Sequence, residues 1–301
     1  MKLLKWCLLV MVLATAAAAL FLRPVSFLNQ ALYARECLSG VRGGWVTVSG
    51  RRMHYIEEGP KDGPAVVLVH GLGGRAEDWL GLARYLAKAG YRVVMPDLFG
   101  FGRSDRPVEF SYSVSDQAEA VAGFMDALGL KQVDLGGWSM GGWIVQLLAS
   151  RHPERVSKLL IFDSVGLYAP PDWNTALFTP NSADQLNELD ALLMPSPPRL
   201  PEFLVRDILR VSDGRAWVVK RAVASMLTGK DTTDAMLPAL RMPVLLEWGE
   251  ADRITPLPLG EKMHALIPGS RLEVTKGCGH LAPDQCAKQM GPGVVAFVNG
   301  R

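Results

Sequence analysis

The sequence predicts an α/β fold in which helices cover both faces of a mostly parallel sheet. Short runs rich in Val, Leu and Ile alternate with segments of helical length along most of the chain, and this alternation is typical of βαβ units. The runs are continuously apolar, as expected of strands that are buried on both faces. A serine between two glycines also stands between one such strand and the helix after it. These observations place functional loops at the carboxyl edge of the sheet.

Eight strands are predicted along the chain. The first two, 45–48 and 52–58, are joined by Ser49-Gly50 and are typical of a hairpin. The other six are expected at 65–70, 91–97, 132–137, 158–163, 243–249 and 271–274. Helices are expected between them at 76–89, 115–128, 141–151, 256–267 and 283–298.

One interval, residues 164–240, interrupts the alternation. It is far too long for a crossover between neighbouring strands, and it contains a cluster of prolines and three stretches of helical character, near 184–194, 202–211 and 215–228. We therefore predict a helical cap inserted into one domain. The first part of that domain covers residues 44–163 and the second part covers 241–301.

The N-terminal residues 1–23 differ from the rest of the chain. An uncharged stretch of 17 residues runs from Trp6 to Leu22 after two lysines, which is the short end of what spans a bilayer. We interpret it as a membrane anchor. A cleaved signal peptide with a site near Ala14-Thr15-Ala16 is the alternative. Residues 24–43 are predicted to be a linker that contains a short amphipathic helix.

The composition excludes several classes of protein. The 32 basic and 30 acidic residues give a net charge of +2, which does not indicate a nucleic-acid partner. A hydrophobic content of 49% excludes intrinsic disorder. The four cysteines are too few for a disulfide-stapled small domain. For Cys278 and Cys286 two states stay open: a disulfide if the domain is extracytoplasmic, and free thiols otherwise.

The strand-to-helix serine is predicted to be a nucleophile. Gly137-Trp138-Ser139-Met140-Gly141 follows an apolar strand and precedes a helix, which is the context of a nucleophile elbow. The turn is so tight that Gly137 and Gly141 must lack side chains and Ser139 must adopt strained backbone angles. A phosphate-binding loop is the alternative, but the sequence lacks the G-x-x-x-x-G-K-[ST] pattern. Trp138 and Met140 are candidates for the wall of a substrate pocket or, equally, for packing beside the nucleophile.

A serine nucleophile needs a base and an acid that orients the base. His280 alone among the five histidines lies in a loop after the last strand, and such a loop returns to the carboxyl edge. The predicted acid is Asp252, just after strand 243–249, with Asp163 and Glu250 as alternatives.

An oxyanion hole is predicted after the third strand. His70-Gly71-Leu72-Gly73-Gly74 begins where that strand ends, and its glycines allow backbone N–H groups to turn toward a developing negative charge. The expected donors are the amides of Leu72 and Met140. This chemistry requires neither a metal nor an organic cofactor.

Five motifs carry a family resemblance. HGLGG, PDLFGFGRSD, GGWSMGG, WGEADRITP and GCGH occur in this order over residues 44–300, and together they resemble the α/β-hydrolase fold superfamily in its serine-nucleophile branch. The resemblance implies a Ser139–Asp252–His280 triad with the amides of Leu72 and Met140 as oxyanion donors. The N-terminal anchor and a cap that opens with DSVGLYAP also resemble the membrane-bound monoacylglycerol lipase-like group.

The resemblance implies a serine hydrolase that cleaves carboxylic esters through an acyl-enzyme. The expected partners are a small acyl ester or lipid substrate and, through the N-terminal segment, a membrane. The catalytic domain is expected to be extracytoplasmic, or periplasmic or secreted if the segment is cleaved. A C–C bond hydrolase of ring-cleavage products or a cofactor-free haloperoxidase would use the same triad. A non-catalytic receptor or scaffold is the alternative of another class, although such proteins usually lack a triad member.

Overall fold

The structure is a computed structural model that describes residues 20–300 together with Trp6, Met11, Thr15 and Ala18, and of residues 35–38 it describes the backbone alone. The predicted anchor or signal segment, residues 1–23, therefore lies largely outside the described residues. Among the helices that are described, none has both the length and the apolar character required to cross a membrane.

Eight strands form one sheet in the order β1-β2-β4-β3-β5-β6-β7-β8. β2 pairs antiparallel with β1 and β4, and every other pair of neighbours is parallel. The strands are β1 (Arg42–Val48), β2 (Arg51–Glu58), β3 (Ala65–Val69), β4 (Arg92–Pro96), β5 (Val133–Trp138), β6 (Val156–Phe162), β7 (Val244–Gly249) and β8 (Arg271–Thr275). The predicted eight-stranded, mostly parallel sheet is confirmed.

The first strand begins earlier than predicted. β1 starts at Arg42, so Arg42 and Gly43 belong to the sheet and not to the predicted linker. Gly44 pairs with Tyr55 of β2, and a β-carbon at position 44 would lie 2.6 Å from the Tyr55 ring. A side chain at position 44 would therefore displace the Tyr55 ring.

The helices lie close to the predicted positions. They are α1 (Pro24–Leu38), α2 (Leu80–Lys88), α3 (Val114–Ala127), α4 (Met140–Arg151), α5 (Ala183–Leu193), α6 (Glu202–Asp213), α7 (Ala216–Met226), α8 (Leu257–Leu266), α9 (Ala282–Gln285) and α10 (Ala287–Val298). The prediction of one continuous helix over 283–298 is wrong. The helix is interrupted at Cys286, which forms a disulfide with Cys278.

Apolar side chains cover both faces of the sheet. α3, α4 and α8 pack on one face through one buried cluster, and α2, α9 and α10 pack on the other through a second. β5 and β7 are buried along their whole length, as expected for central strands of a parallel sheet. The sheet is therefore held rigidly between two helical layers, and the loops at its carboxyl edge have a fixed base.

Between β6 and β7 the chain carries α5, α6 and α7, and we refer to residues 164–240 as the inserted segment. α1 lies between this segment and the rest of the fold. The Val25 N–H donates to Asp207 of α6 at 2.9 Å, and the Asn29 side chain accepts from Arg75 at 2.6 Å. Residues 24–38 thus form a helix that joins two parts of the molecule.

A buried carboxyl group lies inside the sheet, on β7. Glu247 is only 1% exposed, and the carboxyl group of Glu273 on β8 is close to it. Burial and the charge of Glu273 raise the pKa of Glu247 to about 8, although the positive charge of Arg271 acts in the opposite direction. The folded protein therefore holds a proton on Glu247 that an unfolded chain would release at a lower pH.

We expect Glu247→Gln to stabilise the fold more as the pH rises from about 4.5 to about 8. The wild-type glutamate ionises in the unfolded chain but stays protonated in the native state over this range, so the free energy of unfolding falls as the pH rises. Glutamine has no proton to lose. The full pKa difference sets an upper limit of about 5 kcal/mol on the gain.

Urea unfolding at pH 5 and pH 8.5 measures this effect. The matched control is Glu261→Gln on α8, where the side chain is exposed, and it should leave the free energy of unfolding unchanged at both values. A gain of the same size at pH 5 and pH 8.5 would contradict the explanation from ionisation.

Candidate active site

The turn between β5 and α4 places Ser139 at the carboxyl edge of the sheet. Its backbone has φ 57° and ψ −120°, a conformation that side-chain-bearing residues rarely adopt. A β-carbon at Gly141 would lie 2.2 Å from the Val69 carbonyl oxygen, and one at Gly137 would lie 2.2 Å from the Gly141 carbonyl oxygen. The predicted strain at Ser139 and the need for both glycines are confirmed.

A chain of hydrogen bonds joins the three predicted triad residues. The distance from Ser139 Oγ to His280 Nε2 is 2.9 Å, and that from His280 Nδ1 to Asp252 Oδ2 is 2.8 Å. All three residues are buried. They come from the ends of β5, β7 and β8, and they have the geometry that a serine nucleophile, a base and an orienting acid require.

The Asp252 carboxylate accepts four hydrogen bonds. Oδ1 accepts from the backbone N–H groups of Ile254 and Thr255 at 2.8 and 2.9 Å, and Oδ2 accepts from His280 Nδ1 and from Thr255 Oγ1, the latter at 2.6 Å. Burial alone would raise the pKa of Asp252, but His280 and the Thr255 donors outweigh it, so the pKa is lowered. The carboxylate is therefore ionised and accepts the His280 Nδ1–H, which leaves Nε2 free to take a proton.

The alternative acids occupy different positions. Glu250 accepts from the backbone N–H of Gly277 at 3.1 Å and is not bonded to His280. Asp163 lies against Asp252 rather than against the base. The other four histidines have local partners: His54 with Asp97, His70 with Gly71 and Leu98, His152 with Glu154, and His264 with Ser270.

The two predicted oxyanion donors have unused N–H groups. Within the described part of the chain, neither Leu72 N nor Met140 N donates a hydrogen bond to another group. Met140 is the first residue of α4, where the N–H groups of a helix lack partners within it. A β-carbon at Gly71 would lie 3.0 Å from Ser139 Cβ, so the turn that carries Leu72 runs directly beside the nucleophile.

His70 fixes the orientation of that turn. Its Nδ1 donates to the Gly71 carbonyl at 2.7 Å, and its Nε2 accepts from the Leu98 N–H at 3.0 Å. Burial lowers the pKa of His70, so the ring is neutral and can use one nitrogen as donor and the other as acceptor. In a trans peptide the N–H points opposite to the C=O, so the Leu72 N–H is directed away from His70.

Two residues beside the triad were not identified from the sequence in these roles. Thr255 bonds to Asp252 through both its backbone and its hydroxyl. The Trp138 Nε1–H donates to the His280 carbonyl at 2.7 Å, so Trp138 supports the base. Neither Trp138 nor Met140 lines the cavity described next, so of the two roles predicted for them, pocket wall and packing, the structure favours packing. Trp138 turns toward His280, and Met140 is buried in the core.

The inserted segment contacts the loop that carries the base. The His280 N–H donates to the Leu193 carbonyl, the last residue of α5, at 2.9 Å. A β-carbon at Gly279 would lie 2.7 Å from the same carbonyl oxygen. His280 is thus held from three sides: by Asp252, by Trp138 and by the end of α5.

A cavity of about 460 Å³ opens beside Ser139. Large apolar side chains dominate its lining, among them Leu72, Trp143, Leu167, Phe178, Val223 and Met226. The only acidic or basic side chain among its described lining residues is that of Asp172. Its volume and lining are those of a small-molecule site. No group of three or more His, Cys, Asp or Glu side chains in the described residues is arranged to hold a metal ion.

Comparisons with known proteins agree with this architecture. A solved structure of a membrane phospholipase A, described as a bacterial virulence factor, matches with a TM-score of 0.84 and 30% identity over 100% of this chain and 99% of that one. A 2-hydroxy-6-oxo-6-phenylhexa-2,4-dienoate hydrolase from Burkholderia cepacia is 32% identical over 78% of this chain and 87% of its own. Lipase 1 of Psychrobacter immobilis is 26% identical over 77% of this chain and 76% of its own.

These three proteins are named as a phospholipase, a dienoate hydrolase and a lipase, so they share hydrolysis but differ in substrate. A family profile also matches residues 64–226, a range that includes the strand, turn and helix around Ser139. On this match and on the eight-stranded sheet, the chain belongs to the alpha/beta hydrolase fold family.

Proposed function

We propose that this protein is a serine hydrolase that cleaves carboxylic esters of apolar acyl chains through an acyl-enzyme. One observation carries the proposal: the hydrogen-bonded chain of Ser139, His280 and Asp252 meets an apolar cavity at the serine. The three hydrogen-bonded residues supply an activated nucleophile. The cavity supplies a site that an uncharged acyl chain can fill.

The first step is the attack of Ser139 on the ester carbonyl. His280 Nε2 removes the Oγ proton as the new C–O bond forms, and the Asp252 carboxylate stabilises the resulting imidazolium. The carbonyl oxygen becomes negatively charged and accepts hydrogen bonds from the N–H groups of Leu72 and Met140. Donors of this kind contribute roughly 3–4 kcal/mol each to transition-state stabilisation.

The second step releases the alcohol and restores the enzyme. His280 gives its proton to the leaving alkoxide oxygen, and the tetrahedral intermediate collapses to an ester of Ser139. Water then attacks this acyl-enzyme while His280 takes the water proton. The carboxylic acid leaves, and the proton returns to Ser139 Oγ.

The charge of the cavity favours an ester over the C–C alternative. The name of the Burkholderia relative specifies a dienoate, which carries a carboxylate. An anion in an apolar site needs a cationic or hydrogen-bonding partner, and no Lys or Arg is among the described lining residues. The charge that lines the cavity is that of Asp172, which would repel a carboxylate. A haloperoxidase would share the triad, but nothing in the cavity favours that chemistry.

The inserted segment is proposed to be the cap that determines acyl specificity. Most of the described lining residues of the cavity lie in residues 164–240, whereas the nucleophile, acid and base lie outside this range. A non-catalytic receptor or scaffold is the less favoured alternative, because the three triad residues are present and hydrogen-bonded to one another.

The protein is further proposed to act at a membrane, with its catalytic domain in an oxidising compartment. Trp6, Phe21 and Leu22 expose 65%, 61% and 73% of their surface, which is suited to contact with lipid and not with water. The disulfide between Cys278 and Cys286 is of the kind that persists outside the cytoplasm. The similar solved structure is that of a membrane phospholipase A.

The triad proposal is tested by activity-based labelling. We expect a fluorophosphonate probe to label the wild type at Ser139 and to leave Ser139→Ala unlabelled. Asp252→Asn should lower kcat by roughly 10⁴-fold, because the histidine loses the partner that fixes its tautomer. The control Ser111→Ala, at an exposed position, should be labelled like the wild type. Equal labelling of the wild type and Ser139→Ala would overturn the assignment.

The substrate proposal is tested with a series of p-nitrophenyl esters. We expect kcat/KM to rise with acyl length from acetate until the cavity is full, because each buried CH₂ contributes up to about 0.8 kcal/mol. Monoacylglycerols should also be cleaved. A 2-hydroxy-6-oxo-dienoate should be a poor substrate because of its charge. Turnover of the dienoate alone would favour C–C hydrolysis and reject the ester proposal.

The location is tested by fractionating cells that express the full chain. We expect the intact protein in the membrane fraction, and a variant without residues 1–23 outside it. Alkylation without reductant should leave Cys278 and Cys286 unmodified, and prior reduction should make both reactive. A shortened chain in the soluble fraction would instead indicate a cleaved signal peptide, and alkylation without reduction would exclude the oxidising compartment.

A further inference from the structure

A second carboxyl group lies directly against the proposed triad acid. Asp163 is the first residue after β6, and its side chain lies against that of Asp252. The residue is 0% exposed. Its backbone φ is +41°, in the left-handed region that Asp tolerates better than most residues. The chain therefore accepts backbone strain at a position where it buries a carboxyl group.

Backbone contacts hold this carboxyl group in one place. Asp163 Oδ1 accepts from the Gly249 N–H at 2.6 Å, and the Asp163 carbonyl accepts from Thr255 Oγ1 at 3.0 Å. The Asp163 N–H donates to the Glu247 carbonyl at 3.0 Å. The other carboxyl oxygen, Oδ2, has no hydrogen-bond donor among the described residues. A buried carboxylate oxygen without a donor is costly, whereas a protonated oxygen can itself donate.

The surroundings decide which of the two carboxyl groups carries the charge. Two buried carboxyl groups in contact cannot both be ionised at modest cost. Asp252 has four donors, one of them from His280, whereas Asp163 has the Gly249 N–H alone. In the described structure Asp163 forms no ion pair, and the ionisable groups that act on it most strongly are Asp252 and Glu247, both acidic. The negative charge therefore belongs on Asp252 and the proton on Asp163.

We propose that Asp163 is a positioning residue held as a neutral carboxylic acid, whose Oδ2–H donates a hydrogen bond to the Asp252 carboxylate. This donor gives the orphan oxygen a partner and fixes the carboxylate that orients His280. Burial and the charge of Asp252 both raise the pKa of Asp163 well above its ordinary value, in agreement with the geometry. The kinetic consequences rest on the proposed hydrolase function, but the protonation state does not.

The proton on Asp163 should limit activity at high pH. Ionisation of Asp163 would place a second negative charge beside the Asp252 carboxylate. Glu247 is also acidic, so it cannot neutralise that charge. The repulsion would displace the carboxylate that holds His280, so kcat should fall on the alkaline side. Asparagine at position 163 keeps the Oδ1 acceptor for Gly249 and offers an N–H in place of the O–H, but it cannot ionise.

Two substitutions test the role of the donor. Asp163→Asn should keep kcat at pH 7 within a few-fold of the wild type and should lose the alkaline fall. Asp163→Ala should lower kcat by about 10- to 100-fold with little change in KM, because a hydrogen bond to a charged group is lost. Circular dichroism and melting temperature establish that each variant is folded. Loss of activity in a folded Asp163→Asn equal to that in Asp163→Ala would overturn the proposal, as would an unchanged alkaline fall in Asp163→Asn.

Infrared spectroscopy tests the protonation state without any substrate. In protein labelled with ¹³C-aspartate, we expect a protonated-carboxyl C=O band at pH 8 that is lost in Asp163→Asn. The matched control is Asp134→Asn. Asp134 lies on β5, where burial raises its pKa to about 6 despite Lys158, so it is ionised at pH 8 and its removal should leave the band unchanged.

Absence of that band in the wild type, or its persistence in Asp163→Asn, would overturn the proposal even if Asp163→Ala did not fold. Failure of the hydrolase function would be seen separately. The band would then depend on Asp163 while Ser139 failed to react with fluorophosphonate.

Discussion

The close approach of β3, β5 and α4 at Ser139 is the constraint on which the site depends. A β-carbon at Gly137 or Gly141 would overlap backbone atoms at 2.2 Å, so the turn exists only with glycine at both positions. The turn places Ser139 at the edge of the sheet. α4 begins directly after it at Met140, whose N–H has no partner within the helix. With the nucleophile fixed on β5, the strand order β5-β6-β7-β8 brings the ends of β7 and β8 to its side. The acid and the base can then come from those ends.

The same strand order explains where the negative charge of the site is held. β6 lies between the strand of the nucleophile and the strand of the acid, so the first residue after β6 must lie beside Asp252. The chain places a carboxyl group there and surrounds it with few donors, whereas Asp252 receives four. The site thus concentrates its donors on one carboxylate.

Asp97, near the turn that carries Leu72, is a second buried carboxylate that receives several donors. Burial alone would raise the pKa of Asp97, but His54 and two backbone N–H groups lower it.

The sequence could predict the sheet and the meeting of Ser139, Asp252 and His280, because each residue lies in the turn or loop after a strand and parallel strands end at one edge. The sequence could not predict partners that depend on side-chain direction. Nothing in the local sequence shows that Trp138 turns toward His280, or that Thr255 bonds to Asp252 through both backbone and side chain. The bridge between Cys278 and Cys286 also stayed open, since it depends on the break between α9 and α10. Contacts of α1 with Asp207 and Arg75 join residues too distant in the chain to be linked by pattern.

The hydrogen bond from His280 to the Leu193 carbonyl bears on how this enzyme could evolve or be engineered. In the inserted segment, α5 ends at Leu193, whose carbonyl accepts from the backbone N–H of His280. A β-carbon at Gly279 would lie 2.7 Å from the same carbonyl oxygen, so position 279 excludes any side chain. The insertion is therefore not an interchangeable module. A transplanted segment from a relative would have to present a carbonyl at the same point, or the imidazole would lose one of its supports.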